Sequence, residues 1–271
     1  MKIENTEVYG WRAALRAMRN PMDSWGKSDS WIEEGATVDS AYGLRPLYAP
    51  LSADGTTEKR IYCDLPGAVR DNSDYTGGGA VCREGPCIGP EDLKLACKLI
   101  RGGSEHRKFM RQIIVWVDFT LPRYVWQEAD TYKVATVRNS CSTMHKLGSA
   151  VLALEAFQDD DVLPEVLMYL NQAGAALRAK AEWIPPGKSY VLKGEEIKRW
   201  MKKHMPEGFL QRATMTFSYE TLLAMHRQRK NHRLPEWSGV PSLEWKDVQV
   251  LCEWIRSLPY MAKFIEASEG K

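Results

Sequence analysis

The side chains that could act on a ligand are gathered in three stretches. The first, Arg16-Ala17-Met18-Arg19-Asn20-Pro21, brings two arginines to the end of a helix. The second runs from Arg123 to His145. There Arg123, Gln127 and Asp130 recur at i, i+4 and i+7, which lines one helix face with polar groups. Tyr124, Glu128 and Tyr132 form the neighbouring row, and Lys133, Thr136, Arg138, Asn139, Ser140, Ser142, Thr143 and His145 follow. Ser140 through His145 combine hydroxyls, an imidazole and backbone N–H groups where a helix is expected to start, and such an end holds anions. The third stretch is Arg227-Gln228-Arg229-Lys230-Asn231-His232-Arg233, five of whose seven residues are basic or can become so. Guanidinium groups bind phosphate through paired charge-assisted hydrogen bonds, and they also stack on bases. The chemistry common to all three is anion recognition.

Each stretch also has a plainer reading. Basic residues in a last turn complement the helix dipole, a serine caps a helix, and a charged run is a solvated helix end. Arg229 is expected to matter for ligand binding more than for folding, because a charge near a helix end has little reason to be buried.

No stretch supplies an activated nucleophile. There is no G-x-S-x-G and no H-E-x-x-H, and Gly77-Gly78-Gly79 lacks the Lys-Ser/Thr of a phosphate loop. Cys82 and Cys87 are separated by Arg-Glu-Gly-Pro and lack a clear second pair, since Cys63 and Cys97 lie at uneven distances. The histidines at 106, 145, 204, 226 and 232 are scattered, so no metal site is expected. The cysteines are expected to be free thiols. Ten tryptophans and eleven tyrosines serve packing and stacking alike. A face carrying Trp126 and Arg123 is expected to be covered by a second subunit, which makes a homo-oligomer.

The elements that would position these residues follow from apolar periodicity. Helices are expected over residues 8–19, from Pro90 to Ile100, from Arg123 through Trp126 and Tyr132, and over 142–157, 162–183, 195–204, 218–230 and 242–258. A strand is expected over 111–119. Between about 20 and 90 the chain is rich in Gly, Asp, Ser and Pro and shows little periodicity. The sum is an α+β fold, mostly helical with a small mixed or antiparallel sheet. It is expected as a single domain over 1–271 with a long irregular insertion at about 20–90.

With 44% hydrophobic and 27% charged residues in 271, the chain can bury a core and is not a long disordered segment. A net charge of +2 excludes a histone-like binder but leaves room for a local basic site. The longest apolar runs, such as 113–117, fall far short of the ~20 residues that span a bilayer. The first residues lack an apolar signal core, so a cytoplasmic location is expected.

Several stretches carry a resemblance. They are Arg16 through Trp25, His106 through Ile113, Pro122-Arg123-Tyr124 with Glu128 through Lys133, Asn139 through His145, and Arg229 through Trp237. Together they resemble a family of tailed-phage and prophage proteins over most of the chain. More remotely, the order of elements resembles flavin-dependent thymidylate synthase. That family has a helix, a Gly-His turn, a strand, and a helix with Ser-Arg, Gln and R-H-R-x-x-S. Here Gly102-Gly103-Ser104-Glu105-His106 stands at the turn and Ile113 to Phe119 at the strand. With Arg123 as the family's Arg, R-H-R falls on Thr131-Tyr132-Lys133 and the serine on Thr136. Only Lys133 keeps a cation among the three R-H-R positions.

The resemblance implies that family's fold, assembled as a homotetramer with sites at subunit interfaces. It implies FAD lined by Tyr132, Lys133 and His145. It also implies a pyrimidine nucleotide held by Arg123, Arg138, Asn139, Ser140, Ser142, Arg227 and Arg229. The expected activity is that of a phage-encoded, flavin-dependent nucleotide-modifying enzyme in the cytoplasm of an infected or lysogenic bacterial host. It would pass a one-carbon unit, with a folate as possible partner, or a hydride to the nucleotide. Such chemistry belongs to the cofactor and needs no protein nucleophile. The alternative is a non-catalytic nucleotide- or nucleic-acid-binding phage protein that kept the fold and lost the flavin.

Overall fold

The computed structural model describes residues 1–30, 69–70, 80–81, 86–239 and 250–270, with backbone alone for 69–70, 80–81, 144 and 145. Most of the expected 20–90 insertion lies outside the described residues. In chain order the elements are β1 (Lys2–Tyr9), α1 (Trp11–Arg19), β2 (Val69–Arg70), β3 (Ala80–Val81), α2 (Pro90–Arg101), β4 (Ile114–Pro122), α3 (Arg123–Ala129), β5 (Val137–Ser140), α4 (Thr143–Lys146), α5 (Pro164–Arg178), α6 (Glu195–His204), β6 (Leu210–Ser218), α7 (Tyr219–Arg229), α8 (Pro235–Ser238), α9 (Leu251–Ser257) and α10 (Met261–Ser268). Four strands form an antiparallel sheet in the order β1-β4-β6-β5, and β2 pairs with β3. This is the expected α+β class. Contacts group the residues into two compact units. One contains Met1–Thr6 and Trp116–Thr216, and the other contains Glu7–Val115 with the chain from Phe217 onward, apart from Trp245–Gln249.

The first unit holds most of the sheet. Along β4, Val117, Phe119 and Leu121 are buried while Trp116 is exposed, the period-2 alternation of a sheet with one covered face. In β6, Ala213 and Met215 face the same core. On the other side Asp118 accepts hydrogen bonds from Thr214 (2.5 Å) and Asn5 (2.8 Å). A second cluster packs Phe157, Leu170, Ala173, Ile197 and Met201 between α5 and α6.

Several expected helices in this unit are shorter than periodicity suggests. The helix from Arg123 stops at Ala129 rather than running through Tyr132. Thr131 caps it by bonding the Glu128 carbonyl (2.7 Å), and residues 137–140 pair with β6 instead. The helix expected over 142–157 is reduced to α4. Gly148 turns with φ +80°, and the Asn171 amide bonds both the N–H and the C=O of Leu152 (2.8 and 2.9 Å). Those bonds occupy the backbone groups that a helix would need. The helix expected over 162–183 ends at Arg178, whose guanidinium takes the carbonyls of Gly148 and Ala150.

In the second unit the helix expected over 8–19 begins three residues late, after β1. The turn falls at Gly10 (φ +93°), where a Cβ would lie 2.1 Å from the Gln112 carbonyl oxygen, so only glycine fits. Trp11, Ala14, Leu15 and Met18 are then buried, as the period requires. Trp11 meets Tyr219 edge-on (5.1 Å), and Phe264 closes on Phe109. The α2 helix runs from Pro90, as expected, to Arg101, one residue past the expected end, with Gly102 at its C-cap. The strand expected over 111–119 is shifted, because Lys108–Gln112 forms a 3-10 turn. The helix over 218–230 is α7, capped by the Ser218 hydroxyl on the Thr221 N–H. Of the helix expected over 242–258, residues 242–249 lie outside the described residues and Leu251–Ser257 is helical.

Candidate functional site

The first unit holds most of the expected site residues. Arg138 sits on β5, an outer strand of the sheet, opposite Met215 of β6. Its guanidinium lies 3.9 Å above the Trp126 ring, bonds Asp130 (2.6 Å) and reaches the Gln211 amide oxygen (3.2 Å). Gln211 in turn donates to the Cys141 carbonyl. These contacts tie β5 to α3, so Arg138 is committed within the chain. Trp126 is 2% exposed and donates its indole N–H to the Gln211 carbonyl. The expectation that Trp126 awaits cover by a second subunit is therefore corrected: its own unit buries it.

Arg123 opens α3 and donates to the Met205 carbonyl (2.9 Å), with Glu207 at 3.5 Å. Gln127 also bonds Glu207. Two members of the expected polar face, Arg123 and Gln127, are thus satisfied by the loop before β6, and the third, Asp130, by Arg138. Asn139 and Ser140 are exposed on β5, and Ser142 is exposed just before α4. Ser140 belongs to a strand, not to the helix start expected at this point. Tyr132 is half-buried and Lys133 exposed in the turn between α3 and β5. The backbone of His145 lies in α4, and its side chain is outside the described residues.

The basic run lies in the second unit, at the end of α7. Arg227 is exposed. Arg229 is half-buried, with its guanidinium 5.5 Å from the Trp237 ring and 2.6 Å from His232 Nε2. The Leu234 N–H approaches His232 Nδ1 at 3.2 Å. The expectation that Arg229 stands clear of the fold is corrected by this packing. Its neighbour His226 is 7% exposed, and burial pushes its pKa down.

Sequence reasoning missed a third charged group, also in the second unit. Glu220, in the first turn of α7, takes both Arg107 (3.1 Å) and Arg111. Burial opposes its ionisation, but hydrogen bonds from Arg111 and Arg107 outweigh that and hold its pKa below the ordinary carboxylate value. The two arginines precede Glu220 by more than a hundred residues, so no spacing rule could pair them. Of the cysteine pair singled out for its spacing, Cys82 lies outside the described residues and Cys87 is buried, its thiol pushed up to about 11. Among the described residues, no group of three His, Cys, Asp or Glu could hold a metal ion. No described helix is long and apolar enough to cross a membrane.

The architecture has known counterparts. One is a crystal structure of the flavin-dependent thymidylate synthase ThyX from Helicobacter pylori, complexed with FAD and dUMP. It matches with a TM-score of 0.54 and 13% identity, over 98% of this chain and 97% of that one. A second Helicobacter pylori ThyX structure with FAD and dUMP gives 0.55 and 13%, over 99% and 100%. The chain therefore has the flavin-dependent thymidylate synthase fold. No family model and no curated protein matches the sequence.

Proposed function

We propose that the protein is a flavin-dependent enzyme that modifies a pyrimidine nucleotide by one-carbon or hydride transfer. One observation carries this reading: the fold corresponds end to end with a synthase crystallised with FAD and dUMP. Fold alone does not assign activity, so the residues must suit the ligands. Lys133 is an exposed ammonium beside the half-buried Tyr132 ring, a donor set that fits the phosphates and ring of a flavin. His145 joins them in this reading. The flavin, when bound, supplies the hydride chemistry.

The chain's own residues bind and orient the nucleotide. Asn139, Ser140 and Ser142 offer exposed amide and hydroxyl groups for the sugar and base, and Arg227 offers a charge for phosphate. Arg123, Arg138 and Arg229 act through position, since their guanidinium groups already hold Glu207, Asp130 and the Trp237–His232 pair. The one-carbon donor in this reading is a folate. The protein is phage-encoded, works in the host cytoplasm and assembles as a homotetramer. Assembly is supported by the sheet face on which Trp116 remains 38% and Val137 65% exposed.

A second reading, a nucleotide-binding protein without flavin, is favoured by Thr131-Tyr132-Lys133, where the resemblance expects two arginines and a histidine. The experiment is an absorption spectrum of the purified protein before and after adding FAD, paired with calorimetric titration of dUMP. Flavin bands that persist through gel filtration support the enzyme. A colourless protein that still binds dUMP supports the second reading, and one that binds neither overturns both.

A further inference from the structure

We infer that α6 and the loop preceding it form a docking surface for single-stranded nucleic acid, built from none of the residues assigned above to flavin or nucleotide. Residues 179–204 carry seven Lys and Arg against three Glu, a surplus of four in a chain whose net charge is only +2. On α6 the inward positions are Ile197 and Met201, 0% and 1% exposed. Arg199, Lys202 and Lys203, spaced i, i+3 and i+4, form one exposed outward face. Among the described residues none of the three is held by a carboxylate, whereas Lys198 is paired with Glu195 at 2.5 Å. Lys180, Lys188 and Lys193 are exposed on the preceding loop. A phosphate backbone is the complement of such a surface.

The aromatic groups point to bases as well as phosphates. The His204 ring lies flat on Trp200, with centroids 4.1 Å apart and planes at 20°, and its Nδ1 is 2.8 Å from the Trp200 carbonyl oxygen. Trp200 is braced edge-on by Trp183 at 4.6 Å. His204 is therefore an exposed ring fixed in orientation at the end of the cationic face, with Tyr190 49% exposed on the loop. A flat ring among cations is the platform on which unpaired bases stack. A membrane surface is the poorer complement. A helix lying on lipid turns its apolar face outward, and α6 buries that face in its own unit.

The test is fluorescence anisotropy of a labelled 20-nucleotide mixed-sequence DNA strand with the full-length protein, at 25 to 200 mM salt. The same sequence as a duplex and phosphatidylglycerol vesicles serve as alternative ligands. The variants are Arg199→Gln/Lys202→Gln/Lys203→Gln and His204→Ala, each checked for an unchanged melting curve. Arg178→Gln, which loosens α5 without touching the face, separates a packing defect from a lost contact. Wild type should bind the strand with strong salt dependence. The triple variant should lower the slope of log K against log salt by about two, at ~0.7 per phosphate contact. His204→Ala should weaken strand binding about fivefold or more with little change in slope. The inference is overturned by any of four results: no binding at 25 mM salt, a triple variant that binds as wild type does, vesicles bound in place of the strand, or a duplex bound as tightly with His204→Ala silent. The readout needs neither flavin nor turnover, so its failure is distinct from failure of the enzymatic reading.

Discussion

Arg227 and Arg229 are two residues apart on one helix, yet they occupy different environments. Arg227 is exposed, whereas Arg229 is packed over Trp237 and against His232. Arg229→Ala is therefore expected to lower stability by about 1–2 kcal/mol, the scale of a partly desolvated cation–aromatic contact. Arg227→Ala should leave the melting temperature unchanged and weaken dUMP binding about tenfold, the scale of one charge-assisted contact. Melting curves and titrations on the two variants separate these roles. An Arg227→Ala variant that binds dUMP as wild type does removes the basic run from the nucleotide site.

His226 adds a pH dependence at the same scale. Burial depresses its pKa in the folded state below the ordinary value of 6.5. The unfolded chain thus binds the proton more readily, and stability rises with pH across the interval between the two values. The contribution is complete above about pH 6.5 and is lost as pH falls through the folded value. Denaturant midpoints measured from pH 7.5 to 5 should fall for wild type. His226→Gln should flatten that decline, and an equal decline in the variant assigns the effect to other groups.

At the scale of elements, the contact between α1 and α2 rests on a buried ion pair. Arg19 (5% exposed) and Asp92 (0% exposed) meet at 2.5 Å, and the second Asp92 oxygen takes the hydroxyls of Ser28 (2.6 Å) and Ser30 (2.5 Å). Asp29 completes the arrangement by accepting the N–H groups of Glu91 and Asp92 at the start of α2. Removing one member of a buried pair leaves the other charge uncompensated. Asp92→Ala should cost about 3–5 kcal/mol, while Arg19→Met/Asp92→Leu should cost less than the single change. A chemical-denaturation cycle reads both. If the double variant is as unstable as Asp92→Ala, the serine contacts rather than the ion pair carry the stabilisation.

The same scale shows which elements sequence periodicity reaches. The α2 start at Pro90, the whole of α6, and the span of α7 agree with the elements expected from periodicity. Each depends on residues within a turn or two of one another. The helix expected over 142–157 failed because Asn171, nineteen residues beyond Leu152, claims its backbone groups. Strands β1 and β6 are not among the expected elements, although β6 alternates Ala213, Met215 and Phe217 with Thr214, Thr216 and Ser218 along the sequence.

At the scale of the molecule, the proposed assembly makes a prediction of its own. Light scattering at micromolar concentration should give a multiple of the 30.8 kDa chain mass. Trp116→Glu, on the exposed sheet face, should shift the protein towards the monomer without lowering its helical circular dichroism. A wild-type monomer removes the shared-site assembly from the proposal.

Local sequence patterns reach the α+β class, the buried faces of the amphipathic helices, and the order of elements that resembles the synthase fold. These rest on short-range rules of spacing and backbone conformation that the chain carries along its length. Tertiary structure decided what the charged residues do. Arg123 and Arg138 look alike in sequence to Arg227, yet the loop at Met205–Glu207 and the Trp126–Asp130 pair claim them, while Arg227 is left to solvent. An arginine's type fixes that it seeks an anion or a ring. Which one it finds depends on elements brought together across tens of residues, and no local pattern encodes that distance.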